Sequence, residues 1–174
     1  MEVRDASLDD LPGILEIFNE VITNSTAVWF DTLDDLHGRR RWFEARQVRG
    51  FPILVAVEDG SVLGYATFAD FRAWHGYRHT VEHSIYVRAD RRRSGIGRIL
   101  LCALIERATA SRAHAMVGAI EALNHASLAL HADLGFKQVA RMPEVGCKFG
   151  RWLDLLFLEC RLPATKFTTV KTPP

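Results

Sequence analysis

The fourteen residues RADRRRSGIGRILL, Arg88 to Leu101, hold five arginines and two glycines and then turn apolar. A short Arg- and Gly-rich loop running straight into a helix is an anion-binding arrangement. The first amide N–H groups of a helix lack partners and its dipole is positive there. Gly95 and Gly97 remove side chains where a ligand must approach backbone, and Arg92, Arg93 and Arg98 add charge-assisted bonds. Phosphate is the guest such a loop suits, although a solvated basic loop capping a helix reads the same way. Two common phosphate motifs are absent: Leu100 stands where GxGxxG needs its third glycine, and no Walker lysine is present. A second chemistry-bearing stretch lies just upstream. FRAWHGYRHT gathers Arg72, Trp74, His75, Tyr77, Arg78 and His79, a density of donors and rings that a plain linker does not need. Recognition of a small molecule accounts for it, as does packing against a second subunit.

Periodicity predicts the elements that carry these residues. VRDAS is a short strand, and Ser7 or Asp9 caps a helix from about Leu11 whose Leu11, Ile14, Leu15, Ile17, Phe18 and Val21 keep helical spacing. The loop NSTAVWFD follows. A second helix is expected from Thr32 or Leu33 to about Gln47, burying Leu36, Trp42 and Phe43. PILVAVE and VLGYATFA read as strands joined by the turn Glu58-Asp59-Gly60-Ser61. TVEHSIYV is a strand with Val81, His83, Ile85 and Val87 on one face and Glu82, Ser84 and Tyr86 on the other. After the arginine loop come a helix, GIGRILLCALIERATAS, a strand, AMVGAIE, and a helix, NHASLALHADLGF, closed by Gly135. Two long strands with Gly150 near their turn complete a single α/β domain over residues 1–162, a mixed sheet with helices on both faces. The tail 163–174, PATKFTTVKTPP, has no apolar periodicity and is expected to be disordered or to pack on a neighbour.

Composition limits the function classes. With 22 Lys and Arg against 21 Asp and Glu, the formal charge of +1 offers no global case for nucleic acid or an anionic membrane. No apolar stretch reaches the roughly 20 residues that span a bilayer, and the N-terminus lacks a secretory pattern. The expectation is a cytoplasmic protein. Cys102, Cys147 and Cys160 are widely spaced among apolar residues, which fits reduced core thiols better than a disulfide or metal framework.

IYVRADRRRSGIGRILL resembles the acetyl-CoA signature of the GNAT acetyltransferase superfamily, an Arg/Gln-x-x-Gly-x-Gly/Ala loop after a strand, here Arg92-Arg93-Ser94-Gly95-Ile96-Gly97. A second superfamily segment is matched by Asn124, Ser127, His131 and Gly135-Phe136. STAVWFDT, TVEHSIYV and EVGCKFGRWLDLLFLE are similar to the phosphinothricin and methionine sulfoximine/sulfone N-acetyltransferase branch. The resemblance covers roughly Val3 to Leu162 and implies a GNAT-like, mostly antiparallel sheet, acetyl-CoA as cosubstrate, a small amino acid as acceptor and a homodimer. Another L-amino acid or amine as acceptor, or a CoA-binding sensor without turnover, are the alternatives.

Acetyl transfer to an amine needs the amine neutral and the departing thiolate stabilised. The resemblance places the base at Glu82. For the acid, many superfamily members carry Tyr where this chain has His131, a residue type that can donate a proton near neutrality but can equally bond the cofactor or pack on its helix; Tyr86 is a second donor, and a thiolate also leaves unaided. The backbone of Ile85, Tyr86 and Val87 offers an edge for the pantetheine arm, residues 92–98 take the pyrophosphate, and Asn124 caps its helix or bonds the arm. Arg72, His75 and Tyr77 are the candidates for the acceptor's carboxylate and polar end, and Trp29 and Phe30 for an apolar wall. Lys148, Arg151 and Asp154 read as a structural charge cluster.

Overall fold

The computed structural model describes residues 1–163; the expected tail lies almost wholly outside the described residues. Seven strands form one sheet: β1 (Glu2–Asp5), β2 (Ile53–Glu58), β3 (Ser61–Asp70), β4 (Thr80–Val87), β5 (Ala115–Glu121), β6 (Lys137–Lys148) and β7 (Arg151–Arg161). Their order is β1-β2-β3-β4-β5-β7-β6. Every pair is antiparallel except β4 with β5. Helices α1 (Leu11–Asn24) and α2 (Leu36–Val48) cover one face, and α3 (Ile96–Ala110) and α4 (His125–Asp133) the other.

Both faces of the central strands are buried, so β2 reads as the unbroken apolar run Ile53-Leu54-Val55-Ala56 rather than an alternation. Ile53 and Val55 meet Leu11, Ile14 and Ile17 of α1, while Leu54 and Ala56 meet Leu100, Leu101 and Leu104 of α3. Two cores with the sheet between them fix the pitch of the floor on which the site is built.

The boundaries differ from expectation where side chains outvote periodicity. β1 ends at Asp5, and Ser7 starts a 3-10 turn (Leu8–Asp10) ahead of α1 instead of capping α1 itself. Asp10 is buried there, accepting from both amino groups of Arg4 (2.7 and 2.8 Å) and from the Ser7 N–H (2.7 Å), contacts that hold its carboxyl below the usual range. α2 starts at Leu36 because the Asp35 carboxylate accepts the Gly38 N–H at 2.6 Å, an N-cap. Leu36, expected inside, is exposed, and Arg39 takes the buried position, paired with Asp34 and stacked 4.0 Å from the Phe18 ring centre. Of the cysteines, Cys102 and Cys160 are half-buried, but Cys147 is exposed on the edge strand β6, so it is no core thiol.

Candidate active site

Parallel pairing of β4 with β5 covers only Thr80–Glu82 against Ala115–Val117. Beyond that point the strands separate, and the β5-facing edge of β4 is open from His83 to Val87. A groove of about 790 Å³ follows the split, lined by Ile85, Tyr86 and Val87 on one wall and by Glu121, Asn124 and Ser127 on the other. It runs down to the arginine loop, where Arg92, Arg93, Gly95, Gly97 and Arg98 line its end. Gly95 has φ of 85° and Arg93 of 62°, left-handed backbone that turns the loop tightly into α3.

Within the loop the roles divide more sharply than residue types suggested. The Ile96 side chain is buried in the core, leaving only its amide at the helix start, and the Ser94 hydroxyl turns back to donate to the Arg91 carbonyl at 2.5 Å. Arg92 reaches across to Glu20 of α1 at 2.6 Å and donates to the Val87 carbonyl at 3.3 Å, so its guanidinium braces the groove's end. Arg98 lies 3.4 Å from Asp133. Asn124 accepts the Ser127 N–H at 3.2 Å and caps α4 while still facing the groove.

Glu82 stands at the last paired position of β4, where the split begins. Its side chain is 34% exposed, and Arg72 lies 3.7 Å away. Burial raises its pKa above the ordinary carboxylate value, partly countered by the Arg72 charge. A carboxylate so placed holds a proton more readily than one in water, as a base for an ammonium requires. Tyr86, on the same face, lines the groove with a phenol whose pKa burial pushes up.

His131 does not occupy the position of a proton donor. It is 1% exposed, its Nδ1 lies 2.7 Å from the Ser127 carbonyl, and its Nε2 lies 3.1 Å from Nε2 of His83, with the two rings stacked 14° from parallel. The carbonyl can only accept, so His131 carries its proton on Nδ1 and accepts from the His83 Nε2–H. Burial lowers the pKa of both rings, that of His83 to about 3, with His131 adding to the effect. A neutral pair whose facing nitrogens are spent on each other has no labile proton for a thiolate. The pair occupies the apex of the split above Gly118, where an added Cβ would lie 2.9 Å from His83 Nε2. That glycine inside AMVGAIE was the available sequence signal of a close approach.

The histidine pair makes acid lability an expected property. Both folded pKa values lie below the ordinary 6.5, so the unfolded chain takes up protons that the fold refuses. Stability should fall as pH drops below 6.5, by up to about 1.4 kcal/mol per pH unit for each ring. Urea midpoints between pH 7 and 4.5 check this; His131→Phe should flatten the slope, and an unchanged slope would remove the pair as its source.

The recognition residues are dispersed. Arg72 reaches Glu82, but His75 and Tyr77 form an exposed 3-10 turn in which Tyr77 packs on Phe71 and Trp74. Trp29 does not line the groove: its indole donates to the Thr26 carbonyl at 2.8 Å and its ring lies against Gly146 of β6. Phe30 is exposed beside Phe18. Lys148, Arg151 and Asp154 do not cluster. Lys148 is buried on the carbonyls of Ser25 and Val28, Arg151 lines the groove, and Asp154 pairs with Arg141. The buried Glu121 carboxylate, which composition did not single out, accepts the Thr26 hydroxyl at 3.1 Å and the Leu123 N–H at 3.1 Å.

A strand split open beside a phosphate-type loop, with a carboxylate at the last paired position before the split, defines an acyl-CoA-dependent transferase. The chain matches the Acetyltransferase (GNAT) family over residues 14–136 and belongs to it. It is 54% identical over 165 residues to an L-methionine sulfoximine/L-methionine sulfone acetyltransferase of Pseudomonas paraeruginosa, covering 94% of this chain and 96% of that one. A phosphinothricin N-acetyltransferase of Alcaligenes faecalis is 38% identical, with 93% and 81% covered. The structure of yncA of Salmonella typhimurium, solved with its cofactor acetyl-CoA, superposes with a TM-score of 0.94 at 45% identity over 98% of each chain. The protein is an acetyltransferase that uses acetyl-CoA. Among the described residues no helix is long and apolar enough to cross a membrane.

Proposed function

We propose that this enzyme acetylates the α-amino group of a small amino acid of the methionine sulfone, methionine sulfoximine or phosphinothricin type. The observation that carries the reading is Glu82, half-buried with a raised pKa where the groove opens, with the Arg72 guanidinium beside it. The groove fits acetyl-CoA by its chemistry. The free edge of Ile85 to Val87 suits an amide-bearing arm, and the amides at the start of α3 with Arg93 and Arg98 suit a diphosphate. When bound, acetyl-CoA supplies the thioester carbonyl. Glu82 accepts the proton of the acceptor's ammonium, freeing the nitrogen lone pair on the side of the split. The neutral nitrogen attacks the carbonyl carbon. As the adduct collapses the carbon–sulfur bond breaks, the nitrogen gives up its second proton, and the sulfur takes one up to leave as the thiol. Tyr86, a residue of the groove wall, is the hydrogen-bond donor to that sulfur in the place expected of His131.

Arg72 has two uses: it keeps Glu82 from becoming too basic and it points a fork of donors at the acceptor's polar end. Arg72→Ala should raise KM for the amino acid about tenfold or more while leaving KM for acetyl-CoA within about twofold. An equal loss in both would take Arg72 out of acceptor binding. The substrate class is tested by thiol release from acetyl-CoA across methionine sulfone, methionine sulfoximine, phosphinothricin, the standard L-amino acids, simple amines and peptides. Turnover confined to the first three supports the reading; turnover only on peptides overturns it.

A homodimer fits the same reading. β6 is an edge strand of twelve residues with Val139, Met142 and Val145 exposed, and Trp152 beside it on β7 is 67% exposed, an apolar edge that invites a second copy. Three free thiols suit a reducing compartment such as the cytoplasm.

A further inference from the structure

On the Glu82 face of the sheet, one half-buried guanidinium has no protein counterion among the described residues. Arg46 of α2 lies over the Trp42 ring, 4.5 Å from its centre, and its Nε donates to the Thr67 hydroxyl at 3.2 Å. Thr67 passes its own proton to the Pro52 carbonyl at 2.7 Å, so it is satisfied. The two terminal amino groups of Arg46 meet no carboxylate, carbonyl or hydroxyl among the described residues. The contrast with its neighbour is plain: Arg39, over the same indole at 4.7 Å, is neutralised by Asp34. Burial, with Arg39 as a like charge, lowers the pKa of Arg46, as expected of a cation without a counterion. Beside it the Tyr65 hydroxyl is buried with no hydrogen-bond partner.

The register says what an occupant would be near. Directly paired residues of β3 and β4 share a face, and the pairs run Tyr65 with Tyr86, Thr67 with Ser84, Ala69 with Glu82. Arg46, anchored on Thr67, is therefore one pair from the base. Successive pairs on a face are about 7 Å apart, a step that an α-amino acid spans with one hydrogen bond of about 2.8 Å at its amine and another at its carboxylate. A neutral sulfone or sulfoximine would leave the guanidinium charge uncompensated; a carboxylate neutralises it.

We infer that Arg46 binds the α-carboxylate of the acceptor and so makes the enzyme selective for amino acids over amines. The assignment rests on the reading of Glu82 as the base for an α-ammonium, and it leaves Arg72 to the other end of the acceptor. Sequence reading missed Arg46 because it is one of several arginines on a charged helix; only the fold separates it from Arg40, which pairs with Glu44 on the surface.

The test compares L-methionine sulfone with 3-(methylsulfonyl)propylamine, the same molecule without its carboxylate, in the wild type, Arg46→Met and Arg46→Lys. The wild type should favour the amino acid in kcat/KM. Arg46→Met should raise KM for the amino acid about 100-fold while changing kcat/KM for the amine and KM for acetyl-CoA little, so the preference collapses. Arg46→Lys should retain part of it, and it carries the test if the Met variant fails to fold. Comparing ratios between enzymes cancels the unequal basicity of the two amines. Equal losses on both compounds, or a wild type with no preference, would overturn the assignment and leave acetyl transfer to amino acids standing. Collapse of the preference for methionine sulfone over methionine, in place of the carboxylate preference, would move Arg46 to the side-chain end and also overturn it. A wild type that acetylates neither compound nor any free amino acid would sink the proposed function, and the Arg46 assignment with it.

Discussion

Glu82→Gln should lower kcat by about 10²–10⁴-fold, with the deepest loss below the pKa of the acceptor's ammonium, and leave acetyl-CoA affinity nearly intact. Glutamine keeps the size of the side chain and can still face Arg72, so the change removes proton acceptance and little else. The raised pKa of Glu82 adds a check on folding. A carboxyl whose folded pKa lies above its unfolded value contributes most stability below the unfolded pKa, and that contribution is lost as pH rises through the folded one. At neutral pH the wild type therefore carries an ionised group in a partly dry place, and Glu82→Gln should melt no lower than the wild type. A variant with unchanged Tm and lost turnover assigns the proton transfer to Glu82; unchanged turnover would refute it. The wild type's own profile should show kcat/KM falling on the acid side at a pH above that of an ordinary glutamate.

Much of this arrangement is legible in the sequence. TVEHSIYV and AMVGAIE are strands with the expected bounds, Thr80–Val87 and Ala115–Glu121, because local alternation and apolar runs suffice to define them. The arginine loop was legible because its chemistry is local: amides at a helix start need only the residues that make the turn. What depends on distant parts of the chain was not legible. Where β4 and β5 part after three pairs, side chains 48 positions apart, His83 and His131, meet over Gly118. The same limit explains α2. Its helical phase admits Leu36 or Arg39 inside, and the choice falls to Arg39 because Asp34 and the rings of Phe18 and Trp42 compensate its charge. Residue type gave His131 a proton to donate, whereas its partners determine that it has none to spare.

Lys148→Met should be the most damaging single change outside the reacting groups. The ammonium is buried and donates to the Ser25 carbonyl at 2.7 Å and the Val28 carbonyl at 2.5 Å, so it closes the C-terminal end of α1 and holds the loop that follows. Two further contacts pin that loop: Thr26 to Glu121 on β5, and the Trp29 ring on the bare backbone of Gly146. Burial lowers the Lys148 pKa against the pull of Asp31, yet the two carbonyls give the charged form its bonds. Methionine fills similar volume but leaves both carbonyls without a donor, at a cost of about 2–4 kcal/mol. Because Ser25, Thr26 and Ala27 form a wall of the groove, loosening the loop should also raise KM for acetyl-CoA several-fold, while kcat at saturation changes less. Thermal denaturation and steady-state kinetics on one preparation separate these effects. A lower Tm with unaltered KM would make Lys148 a brace for α1 alone. A lower Tm together with a raised KM, the rate recovering as acetyl-CoA approaches saturation, would mean that the loop is held in place for the cofactor and that this buried ammonium holds it.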